Sequence, residues 1–108
     1  MKKTLIILIF FPTLILAQQS QKKIVASQFR VEGNCEICKK TIEKAALSVR
    51  GVKMAIWDIP TNQLSLLYNR RKVKLSNIHY AIAKSGYSTP EIKAKEEDYN
   101  KLPMCCQY

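Results

Sequence analysis

Beyond a polar stretch that ends near Ser27, apolar residues recur with two different periods, and the switches between them mark out the elements of a fold. Phe29 and Val31 alternate with Gln28 and Arg30, which predicts a half-buried strand running to Gly33. From Cys38 onward the apolar positions are Cys38, Ile42, Ala45, Ala46 and Val49, a stripe on one side of a helix that Gly51 ends. Val52, Met54 and Ile56 return to period two, with Lys53, Ala55 and Trp57 on the opposite face. After the turn Pro60-Thr61-Asn62, Leu64, Leu66 and Tyr68 mark the second strand of a hairpin. A second helical stripe, Leu75, Ile78, Ala81 and Ile82, stops at Gly86. A last strand is expected from Ser88 to Ala94, at a sheet edge because Pro90 cannot donate to a ladder.

The order is βαββαβ. Strands and helices so interleaved predict an α+β domain of ferredoxin-like architecture: a four-stranded antiparallel sheet with two helices on one face, followed by a short helical tail that carries cysteines.

The first residues belong to a different kind of signal. Lys2 and Lys3 precede an apolar run from Leu5 to Leu16, interrupted by Pro12, and Ala17 precedes Gln18-Gln19-Ser20-Gln21. That run is shorter than the ~20 apolar residues a membrane span needs, so it reads as an export signal cleaved after Ala17. The expected organisation is a signal peptide at 1–17, a polar leader at 18–27, the folded domain at 28–94 and a tail at 95–108. Export predicts a secreted or periplasmic location without stable membrane insertion once the signal is removed, and no cysteine at 17–20 offers a lipid anchor. Removal of Lys2 and Lys3 lowers the formal charge from +10 to +8, still basic enough to favour acidic partners. An exported chain meets little nucleic acid, and only Phe29 and Trp57 are suited to stacking bases on the sheet, so nucleic acid is not an expected partner.

Chemistry concentrates at Gly33-Asn34-Cys35-Glu36-Ile37-Cys38, where the first strand hands over to the first helix. Unpaired N–H groups and the positive end of the helix dipole favour thiolates there. Two sulfurs at i and i+3 can converge on one ion, and soft thiolates select Cu(I), zinc and other thiophilic ions over magnesium or calcium. Cys38 lies on the buried stripe, whereas Cys35 and Ile37 fall toward solvent. The same pair could instead close as a simple disulfide.

Val31-Glu32-Gly33-Asn34-Cys35-Glu36-Ile37-Cys38, together with Gly51-Val52, Ile78, Ala81-Ile82 and Ser85-Gly86-Tyr87, resembles the heavy-metal-associated domain of copper chaperones, metal-pumping ATPases and the periplasmic mercury-binding protein. The likeness runs from about Gln28 to Lys93. It implies that Cys35 and Cys38 are the metal ligands, that Tyr87 lies beside the metal loop with Asn34, and that Cu(I) leads, with zinc, mercury and cadmium behind it. One residue is missing between Gly33 and Cys35 relative to the family pattern, and no methionine precedes the pair, so the loop has to be tighter or braced differently. The resemblance also implies docking of an acidic face on a metal transporter or another cysteine-bearing protein, through Ile37, Lys39, Lys40 and Lys44. A merely solvated basic helix accounts for those lysines equally well.

Met104-Cys105-Cys106 lies beyond the resemblance. A helix over Glu96 to Leu102 would span ~10 Å and the extended remainder roughly another 10 Å, enough to return along one strand length to the first pair. Adjacent cysteines seldom bond to each other, so Cys105 and Cys106 are expected to add thiolates or to pair with Cys35 or Cys38 on oxidation. His79 falls off the second helical stripe and is expected at the surface, and Trp57 is expected opposite Met54 and Ile56, exposed or covered by the tail.

Glu32, Glu36 and Asp58 form no evident catalytic pair, and one histidine suggests no triad, so an enzyme is not expected. A metal carrier or scavenger is the first reading. The alternative is a thiol–disulfide oxidoreductase or redox sensor, although the pair lacks the preceding Trp and the intervening Gly-Pro of thioredoxin-like motifs.

Overall fold

The computed structural model describes residues 23–108; the expected signal and most of the leader lie outside them. Strand β1 covers Ile24–Arg30, starting within the stretch read as a polar leader. Helix α1 follows at Glu36–Leu47, then the hairpin of β2 (Val52–Trp57) and β3 (Gln63–Asn69), then helix α2 at Leu75–Lys84. The sheet is antiparallel throughout, in the order β1-β3-β2. Cys38, Ile42 and Ala46 of α1 and Ile78 and Ile82 of α2 are buried with Leu64 and Leu66 of β3 in one core.

Two expectations fail in this sheet, each for a local reason. The fourth strand does not form: 88–94 is irregular. Thr89 folds the segment on itself instead, its N–H donating to Ile92 O and its Oγ1 accepting from the N–H groups of Glu91 and Ile92. Ser88 Oγ accepts from Ala94 N–H in the same way. Hydroxyls that satisfy nearby backbone groups compete with ladder pairing, and Pro90 removes one donor outright.

The second failure concerns the face of β2. Ala55 and Trp57 point into the core, while Ile56 is 50% exposed. A bulge between Val52 and Met54 shifts the alternation by one residue, so Val52 and Ala55 both pack inward and every later side chain changes face. The buried indole of Trp57 donates from Nε1 to Val31 O (3.0 Å) and Asn62 O (3.1 Å), so its polar atom is satisfied.

α2 ends in a Schellman arrangement. Gly86, at φ +106°, donates to Ala83 O and the Tyr87 N–H donates to Ile82 O. A methyl group on Gly86 would lie 2.8 Å from Leu102 Cδ2 and 2.9 Å from Asp98 O, so this turn is also the seat of the tail. The tail forms helix α3 at Glu96–Asn100 and a 3₁₀ turn at Met104–Cys106.

His79 is buried, 2% exposed, contrary to the expectation from its stripe. The folded segment after Gly86 covers that side of α2: His79 stacks on Phe29 with ring centroids 3.9 Å apart, and its Nδ1 lies 2.7 Å from Thr89 Oγ1. Burial pushes its pKa below the ordinary 6.5, opposed by the charge of Glu91, whose carboxylate is 3.8 Å away. The unfolded chain then takes up the proton at a higher pH than the folded one, so stability is complete above about pH 6.5 and declines as the pH falls below it. Urea midpoints measured from pH 7.5 to pH 5 are expected to fall, and His79→Gln to flatten that slope; a slope unchanged in the variant assigns it to other groups.

Candidate metal centre

The loop from Val31 to Cys35 crosses directly over Trp57. A methyl group at Gly33 would meet the indole ring at 3.1 Å and Cys38 Cβ at 3.3 Å, closer than ordinary contact, so the backbone passes tightly over the ring. Trp57 therefore braces this loop from beneath, in a chain where no methionine precedes the cysteine pair. Lys39 Nζ donates to the Trp57 carbonyl at 3.0 Å and pairs with Glu43, whose Oε2 also accepts from the Trp57 N–H at 2.8 Å. Those bonds fasten the start of α1 to the end of β2 and fix the cysteines relative to the sheet.

Cys35 occupies the N-cap of α1 in extended conformation, and Cys38 lies one turn in, fully buried. Their sulfurs are 3.6 Å apart. The backbone N–H of Cys38, and then that of Ile37, hold the Cys35 thiol below its ordinary pKa, against partial desolvation and the charge of Glu36. Cys35 Sγ lies 3.7 Å from the Cys105 carbonyl oxygen, and the neighbouring Cys35 sulfur pushes the Cys105 thiol above its ordinary pKa. Of the two free thiols, Cys35 is the one shifted toward the thiolate.

The structure brings all four cysteines to one place. Cys38 and Cys106 are joined in a disulfide with Cα atoms 5.7 Å apart, and Cys35 and Cys105 are free thiols. Cys35 Sγ lies 3.9 Å from Cys106 Sγ, and the sulfurs of Cys35, Cys105 and Cys106 all fall within 4.8 Å of one another. Asn34 holds the tail over the loop, its Nδ2 donating to Gln107 O at 3.1 Å and to Cys105 O at 3.4 Å. Tyr87 is fully buried and its hydroxyl makes no hydrogen bond among the described residues. Burial raises its pKa first; the Thr41 hydroxyl acts the other way, and the thiolate charges of Cys35 and Cys105 raise it further.

Of the residues expected at a docking face, Ile37 is 51% exposed and Lys40 and Lys44 face solvent, whereas Lys39 is spent on Glu43 and Trp57. Sequence reasoning missed the tail's own anchors. Tyr108 Oη accepts from Ser88 N–H and donates to Gly86 O, while the Tyr99 hydroxyl donates to Tyr108 O. Their only sequence signal was the aromatic pair flanking Cys105 and Cys106.

Comparison with known proteins places this geometry. No family model and no curated protein sequence matches the chain, but solved structures do. One titled CopZ metallochaperone is 32% identical over 98% of its own length and 60% of this chain, with a TM-score of 0.58. The chain belongs to the heavy-metal-associated domain family. A second neighbour, the N-terminal domain of a potential copper-translocating P-type ATPase from Bacillus subtilis in its Cu(I)-loaded state, is 28% identical over 81% of its length and 59% of this chain, at TM-score 0.56. Oxidised MerP from Ralstonia metallidurans CH34, 22% identical over 94% of its length and 60% of this chain, shares the fold at TM-score 0.53. Each of these three likenesses covers about three-fifths of this chain.

Proposed function

We propose that this domain binds a thiophilic metal ion at Cys35 and Cys38 and hands it by ligand exchange to a cysteine-bearing partner, with Cu(I) the leading ion and zinc, mercury and cadmium behind it. The observation that carries the reading is the approach of two sulfurs to 3.6 Å at the start of α1, in a chain 32% identical to a CopZ metallochaperone. Cys35, a free and partly exposed thiol, receives the ion; Cys38 completes the pair once its disulfide has been reduced. A partner thiolate approaches past Ile37, and a metal-pump domain or another carrier with an acidic face suits the lysines beside it. The Lys2-Lys3 and Leu5 to Leu16 pattern supports a place outside the cytoplasm. Competitive titration with a Cu(I) chelator under anaerobic, reducing conditions tests the reading, and absence of uptake at stoichiometric protein overturns it.

Lys40→Glu with Lys44→Glu is expected to slow transfer to an acidic partner several-fold at low salt and to weaken its salt dependence, leaving intrinsic affinity nearly unchanged. Stopped-flow transfer at two ionic strengths checks this, and equal rates reduce the basic face to solvation.

The disulfide favours a second reading. The Cys35 thiolate lies within reach of the Cys38–Cys106 bond, and its attack on Cys38 Sγ would form a Cys35–Cys38 bond while the old bonding pair leaves on Cys106, which then takes a proton. Insulin-reduction turnover without metal uptake would select this redox role over the carrier.

A further inference from the structure

We propose that Cys105 and Cys106 are ligands to the same ion as Cys35 and Cys38, so that the reduced chain closes its tail over a tetrahedral divalent ion of the zinc and cadmium class. The inference rests on the reading above that Cys35 and Cys38 bind metal, and adds a closed state in which two thiolates become four.

The spacing of the sulfurs is the first argument. A zinc–sulfur distance of ~2.3 Å in a regular tetrahedron separates the sulfurs by about 3.8 Å. The Cys35–Cys38, Cys35–Cys106 and Cys105–Cys106 separations are 3.6, 3.9 and 4.0 Å. The Cys38–Cys106 edge is a bond in the oxidised chain. Reduction by a small dithiol, which passes on two electrons and two protons and leaves as its own disulfide, frees both sulfurs to take up the same spacing.

The tail is also held in place by contacts that do not depend on that bond. Leu102 packs on Gly86, Asn34 bonds the carbonyls of Cys105 and Gln107, and Tyr108 is tied to Gly86, Ser88 and Tyr99. A mere disulfide staple would need Cys106 alone, yet Cys105, which takes no part in the bond, is kept with its sulfur within 4.8 Å of the Cys35 and Cys106 sulfurs. Beneath this cluster the loop and α1 are packed on a closed core, with Tyr87 and Cys38 both fully buried.

The test is titration of the full-length chain, reduced with a phosphine under anaerobic conditions, with cobalt(II) as optical probe and zinc as competitor. The expected result is one ion per chain, with the thiolate charge-transfer band and intense visible transitions of tetrahedral cobalt. Cys105→Ser with Cys106→Ser should weaken zinc binding by about a hundredfold per thiolate lost while retaining Cu(I) at the first pair. Cys105→Ser alone keeps the disulfide, so its zinc affinity can be read in a chain that has folded in its oxidised form before reduction. Wild-type zinc affinity in both variants overturns the proposal, as does a complex of two chains per ion. If Cys35→Ser leaves both Cu(I) and zinc affinity unchanged, it is the reading of the first pair that fails instead.

Discussion

Replacing Cys35 by serine is expected to lower Cu(I) affinity by on the order of a thousandfold or more while leaving the circular dichroism spectrum and the unfolding midpoint close to wild type. The affinity loss follows from removing a soft, readily ionised sulfur from a site with few donors. The stability is spared because Cys35 caps α1 through its backbone, with no side-chain capping bond, and takes no part in the disulfide. Cys38→Ser should cost a similar share of affinity but destabilise as well, since Cys38 is fully buried beneath the loop and carries the link to Cys106. Chelator competition and urea unfolding, run on both variants, separate the two effects. Wild-type affinity in both would remove the site.

The second large effect concerns that link. Cys38 and Cys106 are 68 residues apart, and opening a loop of that size restores chain entropy worth about 4 kcal/mol to the unfolded state. For a domain of this size, adding a reductant is therefore expected to lower the thermal midpoint by on the order of 15 °C or more. Cys106→Ser should reproduce the fall without reductant, and Cys105→Ser should not. Adding zinc to the reduced chain should recover part of the loss, because an ion that binds only the folded state stabilises it by mass action. A midpoint indifferent to reductant would mean that the Cys38–Cys106 link contributes nothing to holding the fold.

Much of this arrangement was legible because the relevant signals are local. The stripe Cys38, Ile42, Ala46 and the stops at Gly51 and Gly86 define two helices by spacing alone, and the cysteine pair announces itself at a strand-to-helix junction. What could not be read depended on single-residue offsets or on contacts between distant segments. The bulge after Val52 reverses the face of Trp57, and no pattern of alternation can reveal an inserted residue in advance. The expected last strand lost to hydroxyl bonds that Ser88 and Thr89 make within their own turn. His79 is buried where that turn and Phe29 cover α2, and Lys39 is tied to the Trp57 carbonyl at the end of β2. The tail's return could be argued from reach, but its seat on Gly86 and Asn34 is tertiary.

The bracing of the loop by Trp57 has an optical consequence. The chain contains a single tryptophan, buried and hydrogen-bonded through Nε1, and one point above it lies within 3.1 Å of the ring and 3.3 Å of Cys38 Cβ. Disulfides, thiolates and heavy ions quench indole emission to different degrees at such range. The intrinsic fluorescence of this protein thus carries, without any label, a readout of whether its sulfurs are bonded to each other, free, or holding an ion.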